Sequence, residues 1–127
     1  MKRFSEDHVW ADIEENVATV GITTYASDEI GEITFVEPPE LNTVVTQGES
    51  LCVVESSKAA TDIFAPIGGT VVKVNTKLSA KPELMNSSPE SEGWICKVQD
   101  FDKQDIDNMM TEEEYEKFVE LKDEQEE

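Results

Sequence analysis

The chain has 127 residues, 29 of them acidic and 10 basic, for a formal charge of −19. That length fits a single domain, and the charge repels nucleic-acid phosphates and anionic lipid, so neither is expected as a partner. No apolar run approaches the roughly 20 residues of a membrane span, and the N-terminus reads neither as a signal peptide nor as a transit peptide; a cytoplasmic protein of bacterial type is expected ahead of a trimmed mitochondrial one.

HVWADIE (8–14) and VATVGIT (17–23) are apolar-rich runs separated only by Glu15 and Asn16, the pattern of a hairpin with a tight turn. TYASDEIG (24–31) places Ser27 as a helix N-cap and ends in Gly31, predicting one helical turn before a strand over 32–37, which Pro38 and Pro39 stop. Strand-like runs follow at 51–56, 59–64, 70–75 and 94–99, with the polar stretch 76–93 left without regular structure. Many short strands at close spacing predict a mainly β sandwich or barrel. Cys52 and Cys96 sit inside apolar strand patterns without CxxC spacing and read as small buried hydrophobes.

Past residue 100 the pattern turns helical. Asp102 is placed as the N-cap of a helix through Met110, with Phe101 and Ile106 as a hydrophobic staple and Ile106, Met109 and Met110 as the apolar face. Thr111 and Glu114 have capping-box spacing and open a second helix whose apolar face is Tyr115, Phe118 and Val119. The helices should cover about 102–124 of a single domain spanning 1–127, and the acidic end DEQEE should fray. Excess acid also suits encounter with basic partner surfaces.

One cation stands out. In ESSKAATD (55–62), with Ser57 and Lys58 as the central residues of a turn, Ser56 faces Ala59, Glu55 faces Ala60, Val54 faces Thr61 and Val53 faces Asp62. This register puts Cys52, Val54 and Ile63 on the core face and projects Lys58 from the tip among residues too small to shield it. Neither Ser57 nor Lys58 is a turn specialist, so turn chemistry does not account for the lysine. An ordinary solvated lysine fits the local pattern; so does an attachment point, where an enzyme can acylate the amine without unfolding its carrier.

The quoted segments, with GEITFVEPPE (31–40), ESSKAATDIFAPIGG (55–69), VVKVN (71–75) and PELMNSSPESEGW (82–94), resemble the glycine cleavage system H proteins over nearly the whole chain. The resemblance implies a barrel-sandwich hybrid of two antiparallel sheets with a lysine-bearing hairpin and C-terminal α-helices. It implies a non-catalytic carrier with lipoic acid in amide linkage on Lys58, shuttling an aminomethyl group from the pyridoxal-phosphate-dependent glycine decarboxylase to an aminomethyltransferase. Dihydrolipoyl dehydrogenase and a lipoate ligase or lipoyltransferase are the further implied partners, and a monomer is expected.

Carried over by position, Glu55 and Gly69 match residues that the family uses for recognition by the lipoylating enzyme. Glu55 also reads as a solvated hairpin acid, and Gly69 as a backbone position needing positive φ. Asp62 and His8 fall near the cleft for the loaded arm, Asp62 reading equally as a cross-strand polar residue and His8 as a packing residue. A lone histidine cannot build a zinc site, and no metal is expected. The family usually has an acid between His8 and Trp10, but Val9 stands there. Asp7, Glu6 or Asp62 are the available substitutes; otherwise the chain carries lipoate without sheltering aminomethyl. Val9 thereby raises a second reading, an H-like lipoyl relay donating lipoate to other lipoyl-dependent enzymes. Asn42 replaces a family glycine and tolerates the same left-handed backbone. A biotin carrier, whose lysine is typically flanked by methionines, is disfavoured by Ser57 and Ala59.

Overall fold

A computed structural model describes residues 1–125, with side chains through Lys122. Its elements are β1 (Lys2–Phe4), β2 (Val9–Glu14), β3 (Val17–Ile22), α1 (Thr24–Ile30), β4 (Ile33–Glu37), β5 (Val44–Val45), β6 (Ser50–Ser56), β7 (Ala60–Phe64), β8 (Gly69–Val74), α2 (Lys77–Ala80), α3 (Leu84–Ser87), β9 (Cys96–Gln99), α4 (Lys103–Asp107) and α5 (Glu112–Gln125). The strands form two antiparallel sheets, one in the order β1-β2-β3-β9-β8-β5 and a smaller one in the order β4-β6-β7.

The first hairpin has the predicted tight turn, with Glu14 opposite Val17 across two residues, of which Glu15 adopts φ 56°. Apolar residues of both sheets, among them Val20, Ile22, Val54, Ile63 and Val71, meet in one core. Cys52 and Cys96 are part of it; burial pushes the Cys52 thiol up to about 12 and raises that of Cys96 as well, which suits packing and not reactivity. Asn42 adopts φ 68°, the left-handed conformation that let it stand in for glycine. β1 and β5 were not predicted, being too short for alternation to register.

Two helical predictions need correction. α1 spans seven residues and is capped by Thr23, not Ser27: Thr23 keeps the extended backbone of the preceding strand (φ −78°, ψ 165°), and its Oγ1 accepts the Ala26 N–H at 3.2 Å. Ser27 lies buried within the helix, its own N–H donating to the Thr23 carbonyl at 3.0 Å. α4 has the predicted Asp102 cap, with the Gln104 N–H donating to its carboxylate at 2.9 Å, but it ends at Asp107 instead of reaching Met110. Met110 leaves the helix because its backbone pairs with Phe4 through reciprocal bonds of 2.7 and 2.8 Å. The expected apolar face divides accordingly: Ile106 and Met109 enter the main core, while Met110 packs on a second cluster built from Phe4, Trp10 and Tyr115.

That second cluster docks α5. The helix opens on the predicted capping box, the Thr111 N–H donating to Glu114 at 2.9 Å and the Glu114 N–H to the Thr111 hydroxyl at 3.2 Å. Tyr115 stacks on Phe4 at 4.7 Å, and its hydroxyl lies 2.8 Å from both Thr23 Oγ1 and His8 Nδ1, which ties α5 to the cap of α1. Burial favours the neutral His8 imidazole, as does the Lys122 charge, against the opposing pull of Asp7 and Glu29; its pKa lies below the usual 6.5. α5 runs through Gln125 and so takes in the first three residues of the end expected to fray, the last two lying outside the described residues.

The stretch 76–93, read from sequence as polar and irregular, is a built segment. It buries Leu78 and Met85 and is anchored by Asn75, whose Nδ2 donates to the carbonyls of Glu92 (2.9 Å) and Trp94 (2.8 Å). It also grips α1 at both ends. Asn86 accepts the Ile33 N–H at 2.8 Å and donates to the Gly31 carbonyl at 2.8 Å and to Ser27 Oγ at 3.3 Å. At the other end Glu90 accepts from the N–H and hydroxyl of Thr24 (2.9 and 3.0 Å) and pairs with Lys2 at 2.8 Å. Burial works against the Glu90 charge, but Lys2 and the Thr24 donors outweigh it and hold the carboxyl below its ordinary range.

Two outcomes follow from these clamps. Asn86→Ala leaves the Ile33 N–H and Gly31 carbonyl without their partners and should cost about 2–3 kcal/mol in urea unfolding; an unchanged midpoint would show that the clamp contributes nothing. His8→Asn keeps a residue that tolerates the left-handed backbone at this position, φ 64°. An imidazole held neutral in the folded chain takes up its proton first in the unfolded chain, so its stabilisation is complete above pH 6.5 and is lost as the pH falls from there to the lower folded value. The Tm gap between wild type and His8→Asn, about 3–6 °C at pH 8 for a loss of roughly 1 kcal/mol, should therefore narrow as the pH falls below 6.5 in calorimetry.

Candidate functional site

The β6–β7 hairpin has the register read from the sequence: Glu55 opposite Ala60, Val54 opposite Thr61, Val53 opposite Asp62. The Ser56 N–H donates to the Ala59 carbonyl at 3.0 Å and closes the turn around Ser57 and Lys58. Its stiffness has a source that sequence reasoning missed. Ser56 Oγ accepts the backbone N–H groups of Lys58 (3.2 Å) and Ala59 (3.4 Å), so a serine-centred turn does what glycine or asparagine would do elsewhere. Cys52, Val54 and Ile63 face the core as predicted, while Glu55, Ala60 and Asp62 face outward.

Lys58 is exposed, and its side chain runs beside the C-terminal end of α1. Gly31, at φ 86°, lies beneath it: a Cβ there would stand 3.4 Å from Cε and Nζ of Lys58, in van der Waals contact. Between hairpin and helix lies an open groove of about 390 Å³ lined by Tyr25, Asp28, Glu29 and Lys58. The three helical residues are spaced i, i+3 and i+4, which puts them on one face of α1. That spacing, ending two residues before a glycine, was the sequence signal for this wall of the site. His8 joins the groove indirectly, its ring lying against that of Tyr25 at 4.5 Å between centroids.

The remaining predicted residues do not converge on Lys58. Asp62 sits on the outer face of the small sheet and accepts a hydrogen bond from the Ser50 hydroxyl at 3.0 Å. Glu6 and Asp7 line a separate cleft of about 170 Å³ with Gln47, Pro66 and Met109. Val9 is 1 % exposed and belongs to the main core. Glu55 is exposed on β6, the strand that leads into the lysine turn, across from the exposed Phe35 of β4. Gly69 lies in β8, in the other sheet, at φ 150°, where a Cβ would fall 2.4 Å from the Gln99 carbonyl oxygen and 2.5 Å from Val98. No side chain fits there, so whatever Gly69 does, it does through backbone shape.

Chemically, an exposed primary amine on a braced turn, with no bulky neighbour and a groove alongside, fits an acyl chain held in amide linkage. Comparisons with known proteins place the chain in a family. The family model described as "Glycine cleavage H-protein" matches residues 2–122. The glycine cleavage system H protein of Caulobacter vibrioides is 47% identical over 117 residues, covering 92% of this chain and 97% of that one. Its Thermotoga maritima counterpart is 42% identical over 118 residues, covering 93% and 95%. A crystal structure of the H protein from Mycobacterium marinum superposes with a TM-score of 0.81 at 33% identity, covering 90% of this chain and 92% of that one. With sheets, helices and lysine hairpin in place, these matches settle the assignment: the chain belongs to the glycine cleavage H-protein family.

Proposed function

We propose that Lys58 bears the lipoyl group by which this chain carries its cargo. As a member of its family the chain is a lipoyl carrier of the glycine cleavage system and not an enzyme. It takes the aminomethyl group of glycine from the decarboxylase to the aminomethyltransferase, and dihydrolipoyl dehydrogenase completes the cycle. The lipoyl group supplies the sulfur chemistry when bound. The chain's own residues supply presentation. The observation that carries this reading is the exposed Lys58 amine on a turn braced by Ser56, beside the groove over Gly31.

A lipoate ligase or lipoyltransferase must reach that amine. Glu55, an exposed carboxylate three residues from the lysine, is the side chain we assign to its recognition, with Gly69 fixing the shape of the second sheet. The carrier works as a monomer, small enough to visit three enzymes in turn, in the cytoplasm as expected of the bacterial type. The relay alternative rested on Val9. That residue is core packing here, and the groove beside Lys58 brings two carboxylates of its own, so shuttling is the favoured reading.

Co-expression with a lipoylating enzyme should raise the intact mass by one lipoyl group in the wild type and leave Lys58→Arg unchanged. The lipoylated wild type should then support glycine-dependent carbon dioxide exchange with its decarboxylase. A mass insensitive to lipoate, or modification persisting in Lys58→Arg, would overturn the assignment.

A further inference from the structure

We infer that His8, Tyr115 and Thr23 form a proton-sensitive latch: the neutral His8 imidazole accepts the Tyr115 hydroxyl proton, and a proton bound at that nitrogen reverses the chain of hydrogen bonds and loosens α5 from the cap of α1. The latch goes beyond the carrier reading and stands independently of it.

Three polar atoms lie in a row. His8 Nδ1 is 2.8 Å from the Tyr115 hydroxyl, that hydroxyl is 2.8 Å from Thr23 Oγ1, and Thr23 Oγ1 also accepts the Ala26 N–H at 3.2 Å. Thr23 is 1 % exposed and Tyr115 7 %, so each hydroxyl proton needs an acceptor inside the protein. One order supplies it: Thr23 donates to Tyr115, and Tyr115 donates to an unprotonated Nδ1, the imidazole keeping its hydrogen on Nε2. With a hydrogen on Nδ1, Tyr115 must accept from the ring, and then either its own proton or that of Thr23 is stranded in the interior. Burial holds the Tyr115 phenol above its usual 10, as does the Glu90 charge, against the opposing Thr23 bond, so the hydroxyl keeps its proton while the imidazole titrates.

The charges around the ring direct the effect to one helix. His8 lies against Tyr25 of α1 and against Tyr115 and Phe118 of α5. Asp7 on its own loop and Glu29 on α1 favour a charged ring, while Lys122 on α5 opposes one. Lys122 Nζ stands over Phe118 at 5.3 Å, so a proton on His8 sets two cations against each other across the docked face of α5. The stranded hydroxyl and the repulsion both fall on that helix. The backbone join between His8 and the cap, the Thr23 N–H donating to the His8 carbonyl at 3.0 Å, carries no titrating group and stays.

The test is made on the full chain, whose single histidine gives unambiguous imidazole signals in ¹⁵N NMR. At about pH 8, where the ring is neutral, Nδ1 should be bare and the hydrogen should sit on Nε2. As the pH falls below 6.5, protection of the Tyr115 and Phe118 amides, corrected for intrinsic exchange, should drop in step with the titration of His8. The expected drop is about tenfold, the worth of one buried hydrogen bond. Tyr115→Phe removes the hydroxyl alone; its His8 should titrate closer to 6.5, and its α5 protection should lose most of the step. Thr23→Ser keeps a hydroxyl at the cap and should behave as the wild type. A hydrogen on Nδ1 in the neutral protein, or α5 protection that stays flat while His8 titrates, would overturn the latch, and the wild type alone reveals either. An undiminished step in Tyr115→Phe would overturn it as well.

Discussion

Asn86 and Glu90, two side chains four residues apart, hold α1 by its two ends, and the surroundings of Lys58 depend on that grip. A seven-residue helix is too short to be stable alone, because nucleation consumes most of the hydrogen bonds it can form. Here its first N–H groups and its last carbonyl region are satisfied by Glu90, Thr23 and Asn86. The helix can therefore place Gly31 under the lysine and turn Tyr25, Asp28 and Glu29 toward it. The same device orders β4, since Asn86 also takes the Ile33 N–H at the point where the β4–β6 pairing is irregular.

The hairpin meets this wall with a different economy. Its core face is apolar and its tip is made of small residues, so the lysine is stiffly carried and sterically bare. Ser56 accomplishes the turn with a hydroxyl, not with glycine, which limits how far the tip can swing at the backbone. Mobility is left to the side chain and to whatever is attached to it. A carrier that must enter three active sites benefits from that division: the protein fixes where the arm begins, and the arm supplies reach.

Much of this was legible in the sequence. The hairpin register followed from alternation at Cys52, Val54 and Ile63, and the caps at Asp102 and Thr111 from their spacing to the residues they serve. What was not legible depended on contacts distant in sequence. Nothing local marks Asn86 as the partner of Gly31, 55 residues away, or Glu90 as the partner of Thr24. Ser27 was read as the cap of α1, but the extended backbone that continues from β3 makes Thr23 the cap. Met110 looked helical because its pairing with Phe4 is invisible to periodicity. The family pattern directed attention to position 9 for an acid, and Val9 proved to be core, while the acids beside the lysine sat on a helix predicted at half its length.

The groove beside Lys58 exists before the arm does. Amide hydrogen exchange on α1, compared between unmodified and lipoylated protein, tests it directly. The N–H groups of Ser27 and Gly31, bonded to the carbonyls of Thr23 and Ser27, should be protected to the same degree in both forms. Exchange that is fast in the unmodified protein and slows only after lipoylation would mean that the arm orders the helix, and would contradict it.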